Sequence, residues 1–121
     1  MISIDDFKKV EMGVGKILSA EKIPDTDKLL KLLVDFGPQS GDILEGEERK
    51  NDIRQIVSGI AMHFPDCSIL AGKKCMFVLN LEPRKIKGND SNGMILALSS
   101  DDGKFSLLEP SGDIPEGTRA K

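Results

Sequence analysis

The chain has 121 residues, an apolar fraction of 39% and a formal net charge of −3, which suits one compact unit, since a single core serves about 100–150 residues. No apolar run approaches the roughly 20 residues that span a bilayer, and Met1-Ile-Ser-Ile-Asp-Asp lacks the basic and apolar regions of a signal peptide, so a soluble, cytoplasmic protein with no membrane partner is expected. Two cysteines and one histidine are too few for a disulfide framework or a four-ligand zinc site, and Cys67 and Cys75 read as reduced thiols in or near the core.

Strand patterns dominate. Apolar residues alternate as Val10, Met12 and Val14, then change parity to Ile17, Leu18 and Ala20, with Gly13 and Gly15 just before the change; a strand with a bulge or sharp bend is expected. Ile23-Pro24-Asp25-Thr26-Asp27 is turn chemistry. It leads into a second strand with Leu30, Leu32, Val34 and Phe36 on one face and Lys31 and Asp35 on the other. Residues 37–52 hold five acidic residues against two basic ones and read as an acidic, solvated loop inserted between strands. A third strand is expected over Ile53–Ile60, a short helical or irregular connection over Met62–Leu70, and a central strand over the apolar run Lys74–Leu81. After a loop from Glu82 to Asn92, strands are expected over Gly93–Leu98 and, behind the Ser100–Gly103 turn, over Lys104–Leu108. Many short strands with a bent, glycine-bearing first strand point to a small antiparallel barrel, with residues 1–121 as a single domain.

The negative sum hides uneven placement. Between Lys73 and Met94 five cations (Lys73, Lys74, Arg84, Lys85, Lys87) face two acids, Glu82 and Asp90. Arg84, Lys85 and Lys87 follow a central strand in a stretch containing Pro83 and Gly88, so a rigid scaffold presents three cations together, the footprint of a phosphate-rich ligand. Taken alone, such a cluster reads better as a solvated loop, and it is the sequence context that reverses this order. Asn80, Ser91 and Asn92 add neutral hydrogen-bonding groups, for which residue type alone favours strand-end and turn duties. All five aromatic residues are Phe, and with Phe36 and Phe77 on apolar strand faces few are left to stack on bases. That favours reading folded RNA by shape and backbone. No catalytic set emerges: Met12-Gly13-Val14-Gly15-Lys16 lacks phosphate-loop spacing, Val57-Ser58-Gly59 lacks a nucleophile elbow, and His63 stands alone. No cofactor or metal is expected.

Five ordered motifs now carry a family resemblance: Val14-Gly15-Lys16-Ile17; Pro24-Asp25-Thr26-Asp27-Lys28-Leu29; Arg54-Gln55-Ile56-Val57-Ser58-Gly59-Ile60-Ala61; Gly72-Lys73-Lys74; and Asn80-Leu81-Glu82-Pro83-Arg84-Lys85-Ile86-Lys87-Gly88 followed by Ser91-Asn92-Gly93-Met94. Over nearly its whole length the chain resembles the tRNA-binding domain found at the C-terminus of many methionyl-tRNA synthetases, in free-standing bacterial tRNA-binding proteins and in eukaryotic synthetase cofactors. The resemblance implies an all-β, five-stranded OB-fold barrel with additional short strands and helical turns at the termini. It also implies no catalytic activity, a homodimer, and binding to the folded tRNA body with limited preference for one tRNA, in cis or in trans to methionyl-tRNA synthetase. Asn80, Arg84, Lys85, Ser91 and Met94 match the part of the family pattern associated with tRNA contact. Lys31, Arg54, Lys73, Lys74 and Lys87 are added from charge and placement. Met94 has a second reading, on a buried face with Leu96 and Leu98. Two departures stand out: Glu82 occupies a commonly basic position, and the 37–52 loop is longer and more acidic than the usual turn. The alternative function is a dimerisation, protein-docking or chaperone-like module with weak RNA binding, and Leu107 to Pro115 is the candidate exposed apolar patch for it.

Overall fold

The computed structural model describes residues 1–39, 46 and 48–121. Its organising element is β1 (Met12–Lys22), which serves two neighbours. Its first half pairs antiparallel with β4 (Lys74–Val78), from Met12↔Val78 to Lys16↔Lys74. Its second half pairs with β2 (Leu30–Pro38), ending at Lys22↔Leu30. Gly15 sits where these halves meet, and a Cβ there would come within 2.6 Å of Phe36 and 2.9 Å of Phe77. Glycine therefore lets the two rings pack edge to face at 5.1 Å across the strand. The expected bulge lies just beyond: Ile17 pairs with Val34 and Ser19 with Leu33, so Leu18 has no partner. This extra residue turns Ile17 into the core and leaves Leu18 exposed.

The sheet runs β3-β2-β1-β4-β7, with β3 (Asn51–Ser58) and β7 (Met94–Ile95) at its edges. Curling brings these edges toward each other. Asn92 N–H donates to the Gln55 carbonyl at 2.9 Å, and Val57 N–H donates to Ser91 Oγ at 3.0 Å, a side chain standing in for a ladder partner. The fold is thus all-β and OB-like. Leu30, Leu32, Val34 and Phe36 fill its interior with Ile17, Ile56, Phe77 and Ile95, while 3-10 turns at Ala61–His63 and Cys67–Leu70 insert Leu70 as a plug.

Several expectations need correction. Asp35 is buried rather than solvated, because its carboxylate accepts from Gly37 N–H at 2.8 Å and Asn51 Nδ2 at 2.9 Å and so ties the ends of β2 and β3. Those strands extend to Pro38 and from Asn51, shortening the expected 37–52 loop at both ends; the reading of its middle as a solvated excursion concerns residues 40–45 and 47, which lie outside the described residues. The strand expected over Gly93–Leu98 is two strands, β7 and β8 (Ala97–Ser99), the latter pairing with β9 (Phe105–Leu107). Ile95 faces the core, so Met94 and Leu98 are exposed and the buried-face reading of Met94 fails. Finally, the Leu107–Pro115 stretch divides, its start built into the fold while Leu108, Pro110 and Ile114 line an open, mostly apolar groove with Met76 and Leu98. Leu107 joins the core, the Leu108 carbonyl accepts from Met76 N–H at 3.0 Å, and residues 117–120 pair with the outer edge of Met12–Val14. Exposed apolar side chains gather also at the N-terminus, where the short helix α1 (Ile4–Phe7), capped by Ser3 and Asp6, buries none of its residues. Among the described residues no helix is long and apolar enough to cross a membrane.

Candidate nucleic-acid interface

After Leu79 the chain leaves the barrel wall through Asn80-Leu81-Glu82-Pro83 and returns at Asn92. The loop expected between these points is a hairpin, β5 (Arg84–Ile86) against β6 (Asn89–Ser91), in register Arg84↔Ser91, Lys85↔Asp90 and Ile86↔Asn89. Lys87 and Gly88 form its turn with φ of +50° and +79°, the left-handed pair of a type I′ turn, whose twist matches that of the flanking strands. Gly88 adopts this backbone freely, whereas Lys87 holds it against its own Cβ. Strands of three residues are too short to display alternation, which is why the sequence reads as a loop.

Arg84, Lys85 and Lys87 are all exposed. Among the described residues no carboxylate pairs with any of them, and the ion pairs formed belong to other cations. Lys31 meets Glu21 at 3.7 Å and Lys73 meets Glu109 at 3.3 Å. Lys74 lies 3.8 Å from Asp113 and 3.5 Å from Glu116 and donates to the Ile114 carbonyl at 2.8 Å, tethering the C-terminal segment. Arg54 forms a two-pronged pair with Asp52, at 3.1 Å from Nε and 3.0 Å from Nη2, and stands 5.4 Å from the centre of the Phe36 ring. Such pairs add little stability at a surface, but each cancels the field of its cation. The hairpin is left as the part of the candidate set whose cations form no ion pair with a carboxylate among the described residues; Asp90 stands opposite Lys85, yet three cations against that one acid leave the hairpin net positive, which suits a polyanion.

The neutral candidates separate as well. Met94 stays exposed beside the hairpin. Asn80 is occupied at both ends of its amide, accepting from Glu11 N–H at 2.9 Å and donating to the Lys9 carbonyl at 2.6 Å. Ser91 is buried, accepting from Val57 N–H and donating to the Gly93 carbonyl. These are the strand-end duties that their residue types also allowed. Of the chemically reactive groups, burial pushes the Cys75 thiol up to about 11 and keeps it protonated at neutral pH. His63 stacks on Phe105 at 3.8 Å.

A family model described as a tRNA binding domain matches residues 12–119. The chain belongs to the tRNA-binding domain family. It is 46% identical over 120 residues to a methionine–tRNA ligase of Methanospirillum hungatei JF-1, covering 99% of the chain and 16% of that protein. It therefore spans about a sixth of the length of the curated relatives it matches. Among solved structures it is similar to a MetRS-related protein from Pyrococcus horikoshii, with a TM-score of 0.81, 40% identity, and coverage of 100% of this chain and 98% of that one. It is also similar to a CsaA chaperone protein from Picrophilus torridus, with a TM-score of 0.77, 25% identity and full coverage of both chains.

In this tRNA-binding family domain Glu82 is exposed two residues before Arg84. Its carboxylate adds a negative charge near the unpaired cations. One residue that the sequence reading left out of the site is Gln55, whose Nε2 donates to the Asp90 carbonyl at 2.8 Å. Its neighbour Arg54 drew attention by charge; a neutral amide carries no comparable signal in the sequence.

Proposed function

We propose that residues 1–121 form a non-catalytic module that binds the folded body of tRNA with limited sequence preference. It would work as the C-terminal region of a methionyl-tRNA ligase or as a free-standing homologue. The observation that carries this reading is the hairpin bearing Arg84, Lys85 and Lys87 without carboxylate partners among the described residues, on a chain of the tRNA-binding domain family. Arg84 and Lys85 are the principal phosphate contacts, Lys87 adds charge at the tip, and Met94 flanks them. Phe36 and Phe77 are core residues and Phe64 and Phe105 are partly buried against the core, so aromatic stacking on splayed bases contributes little and backbone shape dominates.

The test is anisotropy of labelled bulk tRNA at two salt concentrations, with an unstructured RNA of equal length as competitor. Strong salt dependence and weak competition are expected. Equal competition by the unstructured RNA would contradict recognition of the folded body.

A homodimer is the second part of the reading, supported by the apolar N-terminal surface. Ile4, Phe7, Val10, Met12 and Ala120 line an open groove of about 390 Å³ together with the charged Lys8, Glu11, Arg119 and Lys121, and a second copy is the occupant proposed for it. Phe7→Asp is expected to give a folded monomer in sedimentation; a wild-type chain that already sediments as a monomer would overturn this part.

A further inference from the structure

Three-residue strands joined by a two-residue turn do not hold an orientation by themselves, because an isolated two-stranded hairpin is marginal in water. Something else fixes where Arg84, Lys85 and Lys87 point. Two consecutive residues of β3 grip the two feet of the hairpin. Arg54 Nη1 donates to the Leu79 carbonyl at 2.7 Å, at the last core position before the chain departs. Gln55 grips the returning foot twice, donating from Nε2 to the Asp90 carbonyl at 2.8 Å and accepting at its own carbonyl from Asn92 N–H at 2.9 Å.

We propose that Arg54 and Gln55 are positioning residues that clamp the cationic hairpin in its RNA-binding orientation, and that Arg54 is not itself a phosphate contact. The proposal rests on the reading of the hairpin as the RNA surface. The Arg54 side chain is only 18% exposed. Its charge is already matched by Asp52, one face lies over Phe36, and its remaining fork reaches Leu79. A guanidinium fixed in this way has no counterion to release when RNA binds. A planar fork can serve the carboxylate and the carbonyl together, whereas an ammonium is a single point charge with different geometry. Lysine at position 54 would keep the charge and lose the clamp.

The experiment uses the full chain carrying Arg54→Lys, Gln55→Ala, the pair Arg84→Ala/Lys85→Ala, and Arg54→Lys on that pair. It reads tRNA affinity, its salt slope, and amide hydrogen exchange of the free protein. Arg54→Lys and Gln55→Ala are each expected to weaken binding by about three- to tenfold, the scale of one lost hydrogen bond, at an unchanged salt slope. Amides of residues 84–91 should exchange faster while those of β2 stay protected. On the Arg84→Ala/Lys85→Ala background the effect of Arg54→Lys should largely vanish, which a general loss of stability would not produce. Gln55 contributes no core side chain, so Gln55→Ala carries the test if Arg54→Lys fails to fold. Wild-type affinity in folded Arg54→Lys or Gln55→Ala, or an undiminished Arg54→Lys effect on the double-alanine background, overturns the clamp alone. Unchanged affinity in Arg84→Ala/Lys85→Ala overturns the RNA reading, and the clamp with it.

Discussion

The four candidate cations of the barrel wall and the three of the hairpin are in opposite electrostatic states. On the wall, Lys31, Arg54, Lys73 and Lys74 each sit against a carboxylate. On the hairpin, Arg84, Lys85 and Lys87 have no such partner among the described residues. A cation that keeps its carboxylate during binding releases no counterion and leaves the salt dependence unchanged, whereas a free one adds to it. Charge in the sequence is thus a poor guide to charge available to a ligand. The net −3 and a basic hairpin are compatible because neutralisation is local.

Substitutions can break this contrast, and the largest effect belongs to the hairpin. Arg84→Ala/Lys85→Ala is expected to weaken tRNA binding by about 10- to 100-fold near physiological salt with no change in thermal stability, read by anisotropy beside a melting curve. Lys74→Ala inverts that pattern. Loss of the tether to Ile114, Asp113 and Glu116 should lower the melting temperature by about 3–6 °C, corresponding to roughly 1 kcal/mol, with the tRNA salt slope unchanged. Lys87→Asn sharpens the comparison at one position. Asparagine tolerates the left-handed backbone better than lysine does, so the salt slope should fall by about one unit while the melting temperature holds or rises. Lys31→Ala should do least. Its pair with Glu21 is exposed, so calorimetry is expected to register less than about 0.5 kcal/mol, with tRNA affinity changed by less than twofold.

How much was legible in the sequence follows the range of each interaction. Leu30, Leu32, Val34 and Phe36 declared their strand by local alternation, and the parity change after Gly15 located the bulge now seen at Leu18. The many short strands and the bent first strand pointed to a small barrel, the family motifs to its OB type, and the cations of the hairpin were visible as a cluster. What did not show was who pairs with whom. The partner of Lys73 is 36 residues away, that of Gln55 is 35, and Asn80 reaches backbone 69 and 71 residues distant. Only the folded chain brings these groups together, so the backbone ties made by Asn80 and Ser91, residues that the family pattern associates with tRNA contact, have no mark in the sequence. Asp35 is the reverse case: it alternates as a surface residue but is drawn inward by Gly37 N–H and Asn51.

The contrast between wall and hairpin is tested most directly by comparing two charge-matched variants, Arg84→Ala/Lys85→Ala and Lys73→Ala/Lys74→Ala, each removing two cations. Anisotropy with bulk tRNA over a salt series, at a temperature where both remain folded, gives the slope of log affinity against log salt. The hairpin variant is expected to lose about two units of slope and the wall variant essentially none. Equal losses in the two variants would contradict the claim that the unpaired hairpin cations, and not the paired ones on the wall, meet the RNA.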